Sequence, residues 1–248
     1  MLYKVVNKII VFNCNFNKIL DNKIIQVMKL CNTIYFNNYN DIDSCLETKN
    51  NYDDYYYETW KGSKFNKSIN NLPNSIRHLI LGRDFNQPIN NLPNSIIHLI
   101  LGEDFNQPIN NLPNSIIHLT LDCNFNQPIN NLPNSITHLK LGYYFVQPIN
   151  YLPNSITHLT LGKNLLLNDS PKLITYLTLG WDWYFNKPIN NLPNSIIYLK
   201  LGRSFNQPIN NLPLSLKEIQ INENNKNINK IINKIKVKCP ECKIVEYE

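Results

Sequence analysis

The sequence predicts a mainly β solenoid, with one parallel sheet on its concave side and extended or 3-10 segments on its convex side. Three observations carry that prediction. The block FNQPINNLPNSIIHLILG returns almost letter for letter every 20 residues, with phenylalanines at Phe65, Phe85, Phe105, Phe125, Phe145, Phe185 and Phe205 and Leu165 in the single gap. A unit this short has nothing to bury its apolar face against, so only stacked neighbours can build a core. Within the block, Leu99 and Leu101 alternate with His98 and Ile100, which is the period of a strand. The return segment carries Pro108 and Pro113, whose missing backbone donors disfavour an α-helix there.

Taken in order, residues 1–64 read as degenerate repeats forming an N-terminal cap. Val6-Asn-Lys-Ile9-Ile-Val11 and Cys31-Asn-Thr-Ile34-Tyr-Phe36 keep the strand spacing, and the first runs into Phe16-Asn17. The acidic, tyrosine-rich stretch from Asn50 to Tyr57 reads as an exposed loop. Residues 65–224 hold eight repeats. In each, as in Ile96-Ile-His-Leu-Ile-Leu-Gly102, the spacing I-x-x-L-x-L turns Ile96, Leu99 and Leu101 inward and leaves His98 and Ile100 facing solvent. Gly102 then ends the strand and Phe105 returns to the core. Asn86, Asn90, Asn91 and Asn94 recur at turns whose peptide groups cannot join the sheet. An amide offers both donor and acceptor to such groups, so these asparagines read as a structural ladder. Residues 225–248 read as a C-terminal cap: Ile228, Ile231, Ile232 and Ile235 have helical spacing, and Lys243 to Tyr247 forms a last strand.

The repeat falters in one stretch. Val146 replaces a ladder asparagine and Tyr151 another. The next unit, from Lys163 to Ile174, lacks two residues, and two are added after Gly180, where Trp181, Trp183 and Tyr184 precede Phe185. Tyr143 and Tyr144 occupy the equivalent turn two repeats earlier, with Lys163 between. Aromatic side chains on a loop edge are favoured binding anchors, and the competing reading is that they cover a thinned convex core. Tyr143, Tyr144, Lys163, Trp181, Trp183 and Tyr184 are therefore candidate partner-binding residues.

All five histidines share one repeat position, at His78, His98, His118, His138 and His158, and Tyr176, Tyr198 and Glu218 continue the column. His98, His118, His138 and His158 join the candidate partner-binding residues, beside a variable column running from Ile80 to Gln220. Stacking within the solenoid is the simpler reading of these rings. A straight file offers adjacent pairs rather than the three or four converging ligands of a zinc site, so no metal is expected. Cys239-Pro-Glu-Cys242 is one C-x-x-C without a second pair, and it could hold a metal only by recruiting distant thiols or another chain.

Composition narrows the function classes. The net charge of +6 is modest, and its lysines lie mainly in the flanks, whereas nucleic-acid binding wants a basic stripe along one face. No apolar run approaches the roughly 20 residues that span a bilayer, and the first residues are broken by Lys4, Asn7 and Lys8. Six cysteines without framework spacing fit reduced thiols in the cytoplasm. No nucleophile is paired with the histidines and no glycine loop cradles a phosphate, so neither enzyme chemistry nor a cofactor is expected.

The F-N-x-P-I and L-P-N-S-I blocks make residues 65–224 resemble the FNIP-repeat family, a leucine-rich-repeat relative of social amoebae and giant DNA viruses. The L-P-x-S-[IL]-x-x-L-x-[LV] frame is also similar to the 20-residue repeats of secreted bacterial effectors. Both resemblances imply a protein-interaction scaffold in a host-cell cytoplasm. Many FNIP proteins carry an N-terminal F-box, which implies ubiquitin-ligase components as partners. The first 60 residues here lack the L-P-x-E/D start and the helical leucine pattern of that element. A purely structural, self-associating repeat protein is the third reading.

Overall fold

The structure is a computed structural model that describes residues 3–36, 63–162, 173–180 and 185–247. It divides into two compact units, Met1–Phe125 and Asn126–Glu248. Each is a mainly β, parallel-strand solenoid of leucine-rich-repeat type. The stretch from Asn50 to Tyr57 lies outside the described residues.

The first unit contains β1 (Tyr3–Val6), β2 (Ile9–Phe12), α1 (Asn22–Met28), β3 (Thr33–Phe36), β4 (His78–Leu81), β5 (His98–Leu101) and β6 (His118–Leu121). Its strands lie side by side in chain order, β1 antiparallel to β2 and the others parallel. Leu79, Leu99 and Leu119 fall in one inward column and Leu81, Leu101 and Leu121 in a second, all buried. Behind them Phe65, Phe85, Phe105 and Phe125 stack nearly parallel at centroid separations of 6.0, 6.1 and 6.1 Å.

At the N-terminal side the spacing expected from Cys31, Ile34 and Phe36 holds, since Ile34 pairs with Leu79 and Phe36 with Leu81. The register expected for the preceding strand is corrected by one residue. Ile10 and Phe12, not Ile9 and Val11, fall in the leucine columns. Asn7 and Lys8 have φ of 49° and 65° and form a two-residue hairpin turn of the primed kind, so Val6 belongs to the antiparallel β1. A helix also appears where the sequence suggested none. The segment before β3 has no proline, Asp21 caps it by accepting from Ile24 N at 2.9 Å, and Ile24 and Met28 are buried.

The second unit contains β7 (His138–Leu141), β8 (His158–Leu161), β9 (Tyr176–Leu179), β10 (Tyr198–Leu201), β11 (Glu218–Asn222), α2 (Ile228–Lys238) and β12 (Lys243–Tyr247), every paired strand parallel. The repeat that loses two residues and the one that gains two leave the sheet in register, with Leu159, Leu177 and Leu199 aligned. Gly180, at the lengthened turn, has φ of 70°, a left-handed conformation that a side chain would strain. Asn225 stands 20 residues after Phe205 and is buried in its place. Its Nδ2 donates to the carbonyl of Phe205 at 2.9 Å and its Oδ1 accepts from Asn227 N at 2.8 Å.

Two ladders bind turn to turn, and only one is built of asparagine. Asn66 Oδ1 accepts from Asn86 N at 3.0 Å and from Gln87 Nε2 at 2.9 Å; Asn86 Oδ1 does the same for Asn106 N and Gln107 Nε2, both at 3.0 Å. In the second unit Asn126 serves Val146 N and Gln147, and Asn186 serves Asn206 N and Gln207. Asn90, Asn91 and Asn94 are exposed instead. The second ladder is serine: Ser95 and Ser115 Oγ donate at 2.6 Å to the carbonyls of Ile76 and Ile96, and Ser155, Ser195 and Ser215 repeat the bond in the second unit.

Candidate functional site

The outer face of the sheet, opposite the phenylalanines, differs between the units. In the first, His78, His98 and His118 are half-buried and stack at 4.6 and 4.2 Å. The column beside them runs through Val11, Tyr35, Ile80 and Ile100, whose relative exposures are 0, 6, 2 and 7%. The expectation that Ile80 and Ile100 face solvent is thus corrected: four apolar side chains stand in one buried file at strand spacing, and the half-exposed Thr120 ends it. Burial first, and then the Arg77 guanidinium, hold the His78 imidazole below its ordinary pKa.

In the second unit the corresponding rings form one file. His138 stacks on His158 at 3.9 Å, His158 on Tyr176 at 4.1 Å, and Tyr176 on Tyr198 at 4.3 Å, with interplanar angles of 15°, 8° and 7°. Strand separation of about 4.8 Å brings aromatic rings at one register position to stacking distance without distortion. Thr137 Oγ1 lies 2.7 Å from His138 Nδ1 and Thr157 Oγ1 2.9 Å from His158 Nδ1, which fixes the orientation of both imidazoles. The neighbouring column is polar and half-exposed: Lys140, Thr160, Thr178, Lys200 and Gln220. Lys200 Nζ sits 4.0 Å above the Tyr247 ring. At the end of the file Glu218 accepts from Gln220 at 2.9 Å and Lys243 at 3.0 Å, and these bonds hold its carboxyl below the usual range.

The expected residues are only partly brought together. Tyr143 and Tyr144 meet edge to face at 4.6 Å in the turn after β7, and Tyr144 is 54% exposed, close in sequence to the exposed Val146 and Tyr151. Lys163, Trp181, Trp183 and Tyr184 lie outside the described residues. His138 and His158 belong to the second unit's file, and His98 and His118 to the first unit's more buried one. The threonines that orient the rings were missed by the sequence reading. Their signal was present in the Thr-His pairs at 137–138 and 157–158.

Among the described residues no three His, Cys, Asp or Glu side chains gather as a metal site requires. Burial, with the neighbouring Cys239, pushes the Cys242 thiol up to about 12, and Cys239 Sγ donates to the Leu216 carbonyl at 3.7 Å. A thiol held protonated is a poor ligand and a poor nucleophile. No described helix is long and apolar enough to cross a membrane.

Stacked strand-and-turn units with inward leucines and a readable outer face define a leucine-rich-repeat solenoid of scaffold type. The FNIP Repeat family matches residues 65–104, 89–124, 105–132, 125–164 and 185–224, and the chain belongs to that family. No curated protein matches the chain. Among solved structures it is similar to the giant-virus protein CroV588, described as a novel circular LRR protein, at 28% identity and a TM-score of 0.48. The match covers 89% of this chain and 41% of that one, so the chain spans less than half the length of that protein.

Proposed function

We propose that the chain is a protein-interaction scaffold whose partner docks on the outer face of the second unit's sheet and on the neighbouring aromatic turns. The observation that carries this reading is the stacked file from His138 to Tyr198. It is ordered by its own packing and by two threonines, and lies beside half-exposed Lys140 and Lys200. Rings already held in place lose little conformational freedom when a partner arrives, which is the property of a good anchor. Tyr143 and Tyr144 extend the contact along the turn edge, and Trp181, Trp183 and Tyr184 belong to it in this reading.

The test is affinity capture from cells expressing the chain, with wild type beside Tyr176→Ala/Tyr198→Ala and Trp181→Ala/Trp183→Ala. A partner recovered by wild type and lost with either variant supports the scaffold; an unchanged set from all three discards both surfaces. Ubiquitin-ligase subunits in the wild-type set would make the scaffold an adaptor, and multiples of the chain's own mass in light scattering would make it self-associating.

A further inference from the structure

We infer that the outer face of the second unit's sheet receives an acidic polypeptide segment in extended conformation, crossing the strands along the file of stacked rings. The inference rests on the scaffold reading and adds the chemistry of the partner. Three columns make up that face: Thr137, Thr157, Thr175, Ile197 and Lys217; the ring file; and the polar column beginning at Lys140. Four lysines stand in these columns or at the end of the ring file, at 140, 200, 217 and 243. The facing carboxylate, Glu218, is already engaged by Lys243 and Gln220. The face is therefore net positive and asks for negative charge. Lys140 and Lys200 lie in one column three strands apart, β7 to β10, with Thr160 and Thr178 between them. Two cations separated by hydroxyls, Lys200 held over the Tyr247 ring, favour acidic side chains at intervals over a continuous acidic tract.

The rings decide between the polyanions available. Single-stranded nucleic acid is gripped by stacking its bases on exposed aromatic faces. Here the faces of His158 and Tyr176 are covered by their neighbours at 3.9 to 4.3 Å, which leaves ring edges rather than ring faces to a ligand. Edges suit aliphatic and peptide groups, which lie along the file with their carboxylates toward the lysines. The six strands of this unit cross about 24 Å at strand spacing, which an extended peptide of roughly eight residues covers.

The experiment is selection of a random eight-residue peptide library, on the order of that span, against the immobilised full chain, followed by fluorescence anisotropy of the enriched peptides. Lys140→Glu/Lys200→Glu and Lys140→Gln/Lys200→Gln are run beside wild type, with far-ultraviolet dichroism to confirm that each variant folds. Asp or Glu should be enriched at recurring positions, with affinity falling about tenfold or more in the glutamate variant and less in the glutamine one. A twelve-nucleotide oligothymidylate, the probe for the competing polyanion, should bind weakly and without discrimination between variants. Peptides enriched without acidic bias, but still sensitive to Tyr176→Ala/Tyr198→Ala, would retain the scaffold and overturn the acidic partner. An empty selection, binding indifferent to the two lysines, or oligothymidylate binding as tight as peptide overturns the inference as well. The scaffold reading then stands or falls on the capture experiment alone.

Discussion

The two units carry the same inward letters and different outward ones. Leucine pairs, stacked phenylalanines and the asparagine and serine ladders recur in both, yet the column beside the histidines is apolar and buried in the first unit and polar and half-exposed in the second. Val11, Tyr35, Ile80 and Ile100 close one face; Lys140, Thr160, Thr178, Lys200 and Gln220 leave the other open. Exchange at a single repeat position therefore separates a buried apolar file from a half-exposed polar one. The scaffold itself is untouched, because alternate residues of a strand point to opposite sides.

The comparison requires that the cores be equivalent. Phe85→Ala and Phe205→Ala should each cost about 3–5 kcal/mol in denaturant unfolding, and a large disparity would mean that the two units are not built alike. The outer faces should then separate. Ile100→Lys places a charge in an apolar file and should cost more than about 2 kcal/mol. Thr160→Lys, at the same repeat position in the second unit, should stay within about 0.5 kcal/mol. Equal costs at the two sites would erase the distinction between closed and open face. The ladder, common to both units, comes next. Asn86→Ala removes the acceptor for Asn106 N and Gln107 and should cost about 1–3 kcal/mol, whereas the exposed Asn90→Ala should register near zero on the same melting curve.

The weakest effect concerns pH. His78 titrates below its ordinary value in the folded chain, so the unfolded chain binds more protons. Its contribution to stability is complete above about pH 6.5 and is lost as pH falls through that value toward the depressed one. Melting temperature should drop between about pH 7.5 and 5.5, and part of that drop should vanish in His78→Gln. If the variant shows the same slope as wild type, the burial of His78 is not what the titration reports.

Much of this architecture was legible in the letters because a repeat multiplies a weak signal. One I-x-x-L-x-L is a faint strand; seven of them and a closing Leu216-x-x-Ile219-x-Ile221, regular but for the one shifted unit at Ile174, leave no other period available. What escaped was whatever depends on a single turn. The hairpin at Asn7-Lys8 changes the pairing of β2 through two backbone angles, and nothing in Val6-Asn-Lys-Ile9 distinguishes it from a continuing strand. Similarly, Ile80 and Ile100 occupy the outward parity, and parity says which side a residue faces but not whether its neighbours cover it. The asparagines show a third limit. Four recur with equal regularity, yet only the one after phenylalanine reaches the next turn, because reach depends on turn geometry rather than on residue type. The histidine column was visible at once, but the threonines that orient His138 and His158 emerge only when side chains have positions.

The asparagine ladder has a direction. Each backbone N–H after phenylalanine donates to the asparagine oxygen of the preceding turn, and each such oxygen accepts from the following turn, so every standard unit begins with the donor that its predecessor satisfies. A duplicated standard unit inserted in such a series arrives with its ladder bonds matched on both sides, each added unit contributing its own interface. Val146 N donates to Asn126 Oδ1, but its side chain has no amide oxygen to accept from a following turn. A copy of that unit placed before a standard one would leave its successor's N–H without its usual acceptor. A regular unit can thus be repeated without loss of a ladder bond, whereas each copy of the irregular one would leave a backbone donor to find another acceptor, at a cost of about 1–3 kcal/mol.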